Sequence, residues 1–381
     1  MDALAHLERL VAINSFTQNR DGVLACGEYC RTMFEPLGFE SELVRSVLEP
    51  CGDHLFLHRA GGVPLVLVGH LDTVYPPGTE FAWRDEGERV HGPGVADIKG
   101  GIVVLWDALR RLPELDRFDL RIFLNASEEG GCPDFSKLAR DRVRDDTRAC
   151  LVFEPGYDLG DGSTSVVTAR KGSGRFHVDV HGREAHSGNE HDKGANALRE
   201  LARFIETVES WTDYESDVTW TVGTAQGGTA ANCVPGHAQC SVDMRVWTPE
   251  AMGEGRKRLM ALAGDGSVQS GDGKSRCRIE IREIPAYPPW PRNNASDKLA
   301  AQVSALGETL GQPIRPLERR GGSDGAFLWD LAPTIDGLGV IGRDMHCSVH
   351  DPDTGREQES IEKASLARRA NLAVALFESL A

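Results

Sequence analysis

Four apolar runs in this chain lead into metal-binding or acid-base side chains. Val63 to Gly69 is followed by His70 and Asp72, and Leu120 to Leu124 by Ser127, Glu128 and Glu129. Cys150 to Phe153 is followed by Glu154, and Thr334 to Ile341, after a short loop, by His346. Apolar runs alternating with helical patterns are the mark of an α/β layer structure with buried strands. In open sheets of that kind, sites form beyond the carboxyl ends of the strands. Asp97, ahead of Lys99-Gly100-Gly101 and the helical stretch Ile102 to Leu112, supplies a further point. The pattern predicts a mostly parallel sheet flanked by helices, with two histidines and three carboxylates on one edge.

Such nitrogen and oxygen donors suit zinc, with cobalt or manganese possible. Catalytic zinc typically keeps about three protein ligands and an open position, and two-metal hydrolase sites hold their ions ~3.5 to 4 Å apart. His70, Asp97, Glu129, Glu154 and His346, with one carboxylate shared, supply three ligands to each of two ions. Glu128 is not needed as a ligand. On an extended segment it points away from Glu129, which leaves it to act as a base. For the last ligand, spacing from Gly337-Leu338-Gly339 favours His346, with His350 as the alternative. His6, His54, His58, His91 and His237 lack such flanks and read as ordinary hydrogen-bonded histidines. Gly92-Pro93-Gly94 lacks the Lys-Ser/Thr ending of a phosphate-cradling loop, and no Gly-x-Ser-x-Gly elbow joins a strand to a helix. Nucleotide binding and a serine nucleophile are set aside.

At 381 residues and roughly 150 per domain, two domains are expected. Residues 173–285 read differently from the rest. Phe176, Val178 and Val180 alternate with polar residues, and Gly194 to Trp211 has helical spacing. Asp217 to Gly223 and His237 to Val246 alternate again, Thr248 and Pro249 open a second helix, and Cys277 to Ile284 closes the set. The order β-α-β-β-α-β is that of a ferredoxin-like α+β sandwich inserted into a discontinuous domain of residues 1–172 and 286–381. Pro285, Pro288, Pro289 and Pro291 mark the exit.

The net charge of −16 argues against a nucleic-acid partner, though two dications could still make one site locally positive. No stretch approaches the ~20 apolar residues of a membrane span, and Met1 to Ile13 reads as an acidic amphipathic helix rather than a signal peptide. The cytoplasm is the expected location. The nine cysteines, odd in number and scattered, read mostly as small buried residues rather than a disulfide framework.

Three segments carry a resemblance: Gly69-His70-Leu71-Asp72-Thr73-Val74, Gly92 to Gly101 around Asp97, and Ser127-Glu128-Glu129-Gly130. Together they resemble the zinc aminoacylase and carboxypeptidase family, over nearly the whole chain and closest to its glutamate-carboxypeptidase branch. The resemblance implies that Asp97 bridges two zinc ions, with His70 and Glu154 on one and Glu129 and His346 on the other. Asp72 would orient His70, Glu128 would carry protons, and the Asp97–Ile98 peptide would be cis. It implies that the insert is a lid and dimerisation domain, so that a homodimer is expected. In that domain His186 would reach the oxyanion across the dimer, while Asn232 and Arg245 would bind the substrate's free carboxylate. Ser323, in Gly321-Gly322-Ser323-Asp324-Gly325, would lie near the substrate. The implied activity is hydrolysis of an amide next to a free carboxylate in a peptide or N-acyl amino acid. A glutamate-type carboxypeptidase leads; an N-acyl-amino-acid deacylase of acetylornithine or succinyl-diaminopimelate type, or a dipeptidase, is the alternative. A catalytically silent binding relative would be expected to lose Glu128 or a ligand first, and this chain keeps them all. One departure stands out. The family's final His-Ser/Thr-x-x-Glu run is interrupted here by an insertion between Met345-His346 and Glu357.

Overall fold

The computed structural model describes residues 1–131 and 134–381. The chain divides into one unit of Met1–Ala169, Arg292–Arg319 and Ser323–Ala381 and another of Arg170–Pro291 with Arg320–Gly322. Among the described residues no helix is long and apolar enough to cross a membrane.

The first unit is a mixed α/β layer structure. Its main sheet runs in the order Glu40–Arg45, Asp53–Arg59, Phe118–Asn125, Val63–His70, Ala149–Val152 and Thr334–Ile335. The last four strands are parallel and the first two antiparallel. Leu65 to Val68 and Leu120 to Leu124 are almost wholly buried apart from Arg121, as expected of central strands with covered faces. Helices Gly101–Arg111 and Lys363–Leu380 pack on each other and add Val103, Val104, Leu372 and Phe377 to that core. Parallel register decides where the polar ends fall. His70 stands opposite Asn125, and Val68 opposite Val152, so the residues following these three strands leave from one edge.

A smaller antiparallel sheet brings the distant C-terminal segment to that edge. Its order is Gly342–Arg343, Ser360–Glu362, Arg89–His91 and Arg84–Glu86. Ser360 pairs with His91, which places Glu359 against the turn that follows residue 91.

The expected strand over Thr334 to Ile341 is shorter than its apolar run: Thr334–Ile335 forms the strand, and Asp336 and Ile341 make only isolated bridges to Val167 and Gly156. Asp336 and Gly337, the latter with φ +76°, turn the chain out of the sheet. Leu338 and Val340 are buried beyond the turn and held by single backbone bonds, Leu338 donating to the Val152 carbonyl (3.2 Å) and Val340 accepting from the Gly156 amide (2.9 Å), rather than by a continuous ladder.

The second unit carries helices Ala197–Glu209 and Pro249–Met260 and a five-stranded antiparallel sheet. The sheet order is Thr219–Gly227, His237–Val246, Gly172–His181, Arg276–Ile284 and Gly264–Gln269. Asn196 and Thr248 cap the helices by accepting from Arg199 and Ala251 amides. The edge strand Gly264–Gln269 is one more than the expected β-α-β-β-α-β order. Of the cysteines, Cys26, Cys30, Cys51, Cys150, Cys240 and Cys277 are buried and Cys233 and Cys347 half-buried, all unpaired. Cys132 lies outside the described residues.

Candidate metal centre

His70 ends its strand in the interior, 1% exposed. Its Nδ1 lies 3.0 Å from the Asp72 carbonyl oxygen and 3.4 Å from Asp72 Oδ1. That leaves Nε2 facing Asp97 Oδ1 at 3.0 Å and Glu154 Oε1 at 3.6 Å. Asp72 also accepts from the backbone amides of Glu128 (3.0 Å) and Glu129 (3.2 Å) and from Thr17 Oγ1 (2.7 Å). One buried carboxylate therefore fixes both the histidine and the turn that carries the glutamate pair.

On the other side of Asp97, His346 Nε2 lies 3.3 Å from Oδ2 and 3.1 Å from Glu129 Oε1. His346 is a non-glycine residue at φ +65°, held in a loop, with its side chain half exposed. His350 is not part of the cluster; its Nδ1 pairs at the surface with Glu357 at 2.7 Å.

Two trios, His70-Asp97-Glu154 and Asp97-Glu129-His346, each offer donor atoms within 4.8 Å of one another, and they share Asp97. Either trio could hold a metal ion, and a third, His70-Glu128-Glu129, overlaps them. The charge balance fits a cation. Burial pushes the Glu128 carboxyl well above the usual range, with Glu129 and Glu154 adding to the effect, and burial likewise raises Glu129. Asp97 and Glu129 hold the His346 imidazole up at about 11. For His70, burial is outweighed by Asp72 and Asp97, and its pKa is also raised. The carboxylates Asp97, Glu128, Glu129 and Glu154 outnumber the imidazoles of His70 and His346, an excess of negative charge that bound dications would neutralise.

The turn carrying Asp97 is held by a residue that the sequence reading passed over. Glu359 is wholly buried, and its carboxylate accepts from the amides of Ala96 (2.7 Å), Asp97 (3.0 Å) and Gly94 (3.3 Å) and from Tyr75 Oη (2.5 Å). Burial, with Asp97 adding, raises its pKa to about 7. The glutamate beyond the insertion that matters to the site is thus Glu359, while Glu357 serves His350. The Asp97–Ile98 peptide is cis. His54 is a buried, hydrogen-bonded histidine, as expected. It accepts from the Ala126 amide (3.1 Å) and faces Asp134 Oδ1 at 3.3 Å, bracing the start of the glutamate turn. Beside Glu129, Phe16, Leu48, Pro50 and Val74 line an open cleft of about 420 Å³.

The remaining expected residues have these places. Ser323 is buried in the first unit and gives its hydroxyl to Asp336 (2.8 Å), while neighbouring Asp324 accepts from Asn125. In the second unit, Arg245 forks onto Asp243 (2.6 and 3.1 Å). Asn232 is exposed, and its carbonyl accepts from the Ser187 amide. His186, also exposed, accepts through Nδ1 from the amides of Gly188 and Asn189.

Comparison with known proteins agrees with this geometry. Residues 66–378 match the model of peptidase family M20/M25/M40. The chain belongs to that family. It is 28% identical over 389 residues to carboxypeptidase G2 of a Pseudomonas species, a match covering 98% of this chain and 88% of the relative. Succinyl-diaminopimelate desuccinylase of Methylorubrum populi is 30% identical over 383 residues, covering 90% and 91% of the two chains. In fold, the M20 metallo-carboxypeptidase Sso-CP2 of Sulfolobus solfataricus superposes with a TM-score of 0.79 at 14% identity, covering 100% of this chain and 99% of that one. This M20 chain is accordingly a metallopeptidase-family hydrolase, and the family is metal-dependent and typically dinuclear.

Proposed function

We propose that this M20 enzyme is a di-zinc hydrolase that cleaves an amide bond next to a free carboxylate, with a glutamate-type carboxypeptidase as the leading activity. The observation that carries the reading is the placement of Asp97, with His70 and His346 nitrogens at 3.0 and 3.3 Å from its two oxygens. In this reading Asp97 would be shared, His70 and Glu154 would hold one zinc ion with it, and Glu129 and His346 would hold the other. Bound zinc supplies Lewis acidity, polarising the scissile carbonyl and bringing the pKa of water from ~15.7 towards ~7.

The chain's own side chains do the rest. Glu128 takes a proton from the attacking water on its carboxylate and delivers it to the leaving nitrogen. Its buried position, which favours the protonated form, suits the second half of that task. Asp72 fixes the His70 ring and the Glu128–Glu129 turn together. Arg245 and Asn232 take the substrate carboxylate, for which Arg245 exchanges its Asp243 partner. His186 of a second copy stabilises the oxyanion, which makes residues 173–285 a lid and dimerisation domain and the working enzyme a homodimer.

Similarity to carboxypeptidase G2 supports the leading activity, and similarity to succinyl-diaminopimelate desuccinylase supports N-acyl-amino-acid deacylation as the second reading. The test is amine release from a panel of N-acyl amino acids and dipeptides, with and without zinc, beside Glu128→Ala. Zinc-dependent release that vanishes in the variant is expected, and the preferred substrate separates the two readings. No release together with no bound metal would sink the proposal.

A further inference from the structure

Helix Lys363–Leu380 carries Arg369 into the interior of the first unit, where it is 2% exposed. Nη2 donates to the carbonyls of Ser165 (2.7 Å) and Gly337 (3.1 Å), but Nη1 and Nε meet no acceptor among the described residues. A guanidinium has five N–H donors and keeps its charge, so burying one partly satisfied and without a counter-charge is costly. Its charged neighbour is of the same sign: burial, and then Arg368, pull the Arg369 pKa down to about 9. Arg368 already has Glu362 as partner, at 2.8 Å. Nor is there room for Arg369 to swing towards Gly156, where even a Cβ atom would come within 1.8 Å of Nη2.

Beside this side chain lies a cavity of about 90 Å³, lined by Gly162, Thr164, Gln312, Arg368 and Arg369 among others. One water needs only ~10–15 Å³ of such space, so the cavity admits something larger. Its lining is rich in donors: two guanidinium groups, a threonine hydroxyl and a glutamine amide, with no carboxylate among the lining residues.

We propose that the cavity walled by Arg369, Arg368, Thr164 and Gln312 binds a small oxyanion of phosphate size. The anion supplies the counter-charge that Arg369 lacks. None of these residues belongs to the metal cluster. By tying helix Lys363–Leu380 to the segments at Ser165 and Gly337, the bound anion stabilises the first unit.

The experiment is calorimetric titration of the metal-loaded full chain with inorganic phosphate at fixed ionic strength set by chloride, paired with thermal unfolding. One saturable phosphate site per chain is expected, with sulfate competing, and an unfolding temperature that rises with phosphate but not with chloride. Affinity falls tenfold or more in Arg368→Gln and Thr164→Val and is lost in Arg369→Met. Because the last change empties a buried position, its fold is checked by circular dichroism, and the two lining variants decide the matter if it does not fold. Absence of a saturable site would overturn the proposal, since water alone would then satisfy the buried donors. Binding that survives the lining variants but disappears in Asp97→Asn would overturn it as well, by placing the anion at the metal centre.

Discussion

Truncating Glu359 to alanine removes the acceptor of three buried backbone amides and one tyrosine hydroxyl in a single step. A buried donor left without a partner costs ~1 to 3 kcal/mol. The Ala96 and Asp97 amides, at 2.7 and 3.0 Å, lose full bonds, whereas the Gly94 contact at 3.3 Å counts for little. With the buried Tyr75 hydroxyl at 2.5 Å as a third such donor, the sum is about 3 to 9 kcal/mol. Relief of the cost of burying the carboxylate, whose pKa is raised to about 7, pulls it towards the lower half of that range. Against a total stability of roughly 5 to 15 kcal/mol the loss is large. Glu359→Gln keeps one oxygen for the Ala96 and Asp97 amides but turns an NH2 towards Gly94, so it should cost only about 1 to 2 kcal/mol. Since these amides position Asp97, metal affinity should fall about 10- to 100-fold in the alanine variant, as it does when a ligand's hydrogen-bond partner is removed. Urea unfolding of the metal-free protein and titration against a competing chelator read the two effects separately. Wild-type unfolding and wild-type metal affinity in Glu359→Ala would refute the reasoning. So would a glutamine variant as damaged as the alanine one, because acceptor geometry would then not be the cause.

Three further outcomes are expected. Glu128→Gln should lose about 10² to 10⁴ in turnover while still binding two metals per chain by elemental analysis, and a turnover near wild type would place the base elsewhere. Stripping the metals should lower the unfolding temperature, and more so at pH 9 than at pH 6. The raised Glu128 and Glu129 carboxyls favour the folded state only while protonated, and the His346 contribution is complete below ~6.5 and lost as pH rises towards about 11, so zinc should abolish the slope. Asp217→Asn should destabilise the second unit by about 1 to 3 kcal/mol, because it removes the counter-charge 2.8 Å from buried Lys171 Nζ and leaves that ammonium only neutral acceptors such as the Asp217 carbonyl. Lys171 holds the Asp217 carboxyl below its ordinary value, so that stabilisation is present above ~4 and fades as pH falls further. Chemical unfolding across pH checks it, and a change under ~0.5 kcal/mol would be contrary.

Much of the centre was legible because a parallel strand delivers whatever follows it to a common edge, and His70, Glu128, Glu129 and Glu154 each follow an apolar run. Asp97 was legible from its glycine-rich turn. Glu359 was not, since the turn bridging Asp351 to Arg356 pushes it beyond the spacing at which a partner glutamate is sought, and Glu357 is the nearer decoy. The edge strand Gly264–Gln269 was missed because Gly-Asp-Gly-Ser-Val-Gln offers one large apolar residue, Val268, and so no visible alternation. The opposite error arose at Thr334 to Ile341, where an apolar run marks burial without saying whether its backbone pairs in one ladder or, as here, in a short strand and isolated bridges. His54 shows the same limit for polar groups: its neighbours in sequence say nothing of Ala126 or Asp134.

Glu359 meets Asp97 across 262 positions of sequence. The entropy of closing so long a loop grows only slowly with length, but contacts this remote form late, after the local core has condensed. A nascent chain therefore carries His70, Asp97, Glu129 and Glu154 well before His346 and Glu359 exist to complete their surroundings. Any metal taken up early would sit at a half-built site with an unbraced turn. With the ligand set proposed above, full loading would wait on the docking of the segment that carries His346 and Glu359 against the Asp97 turn.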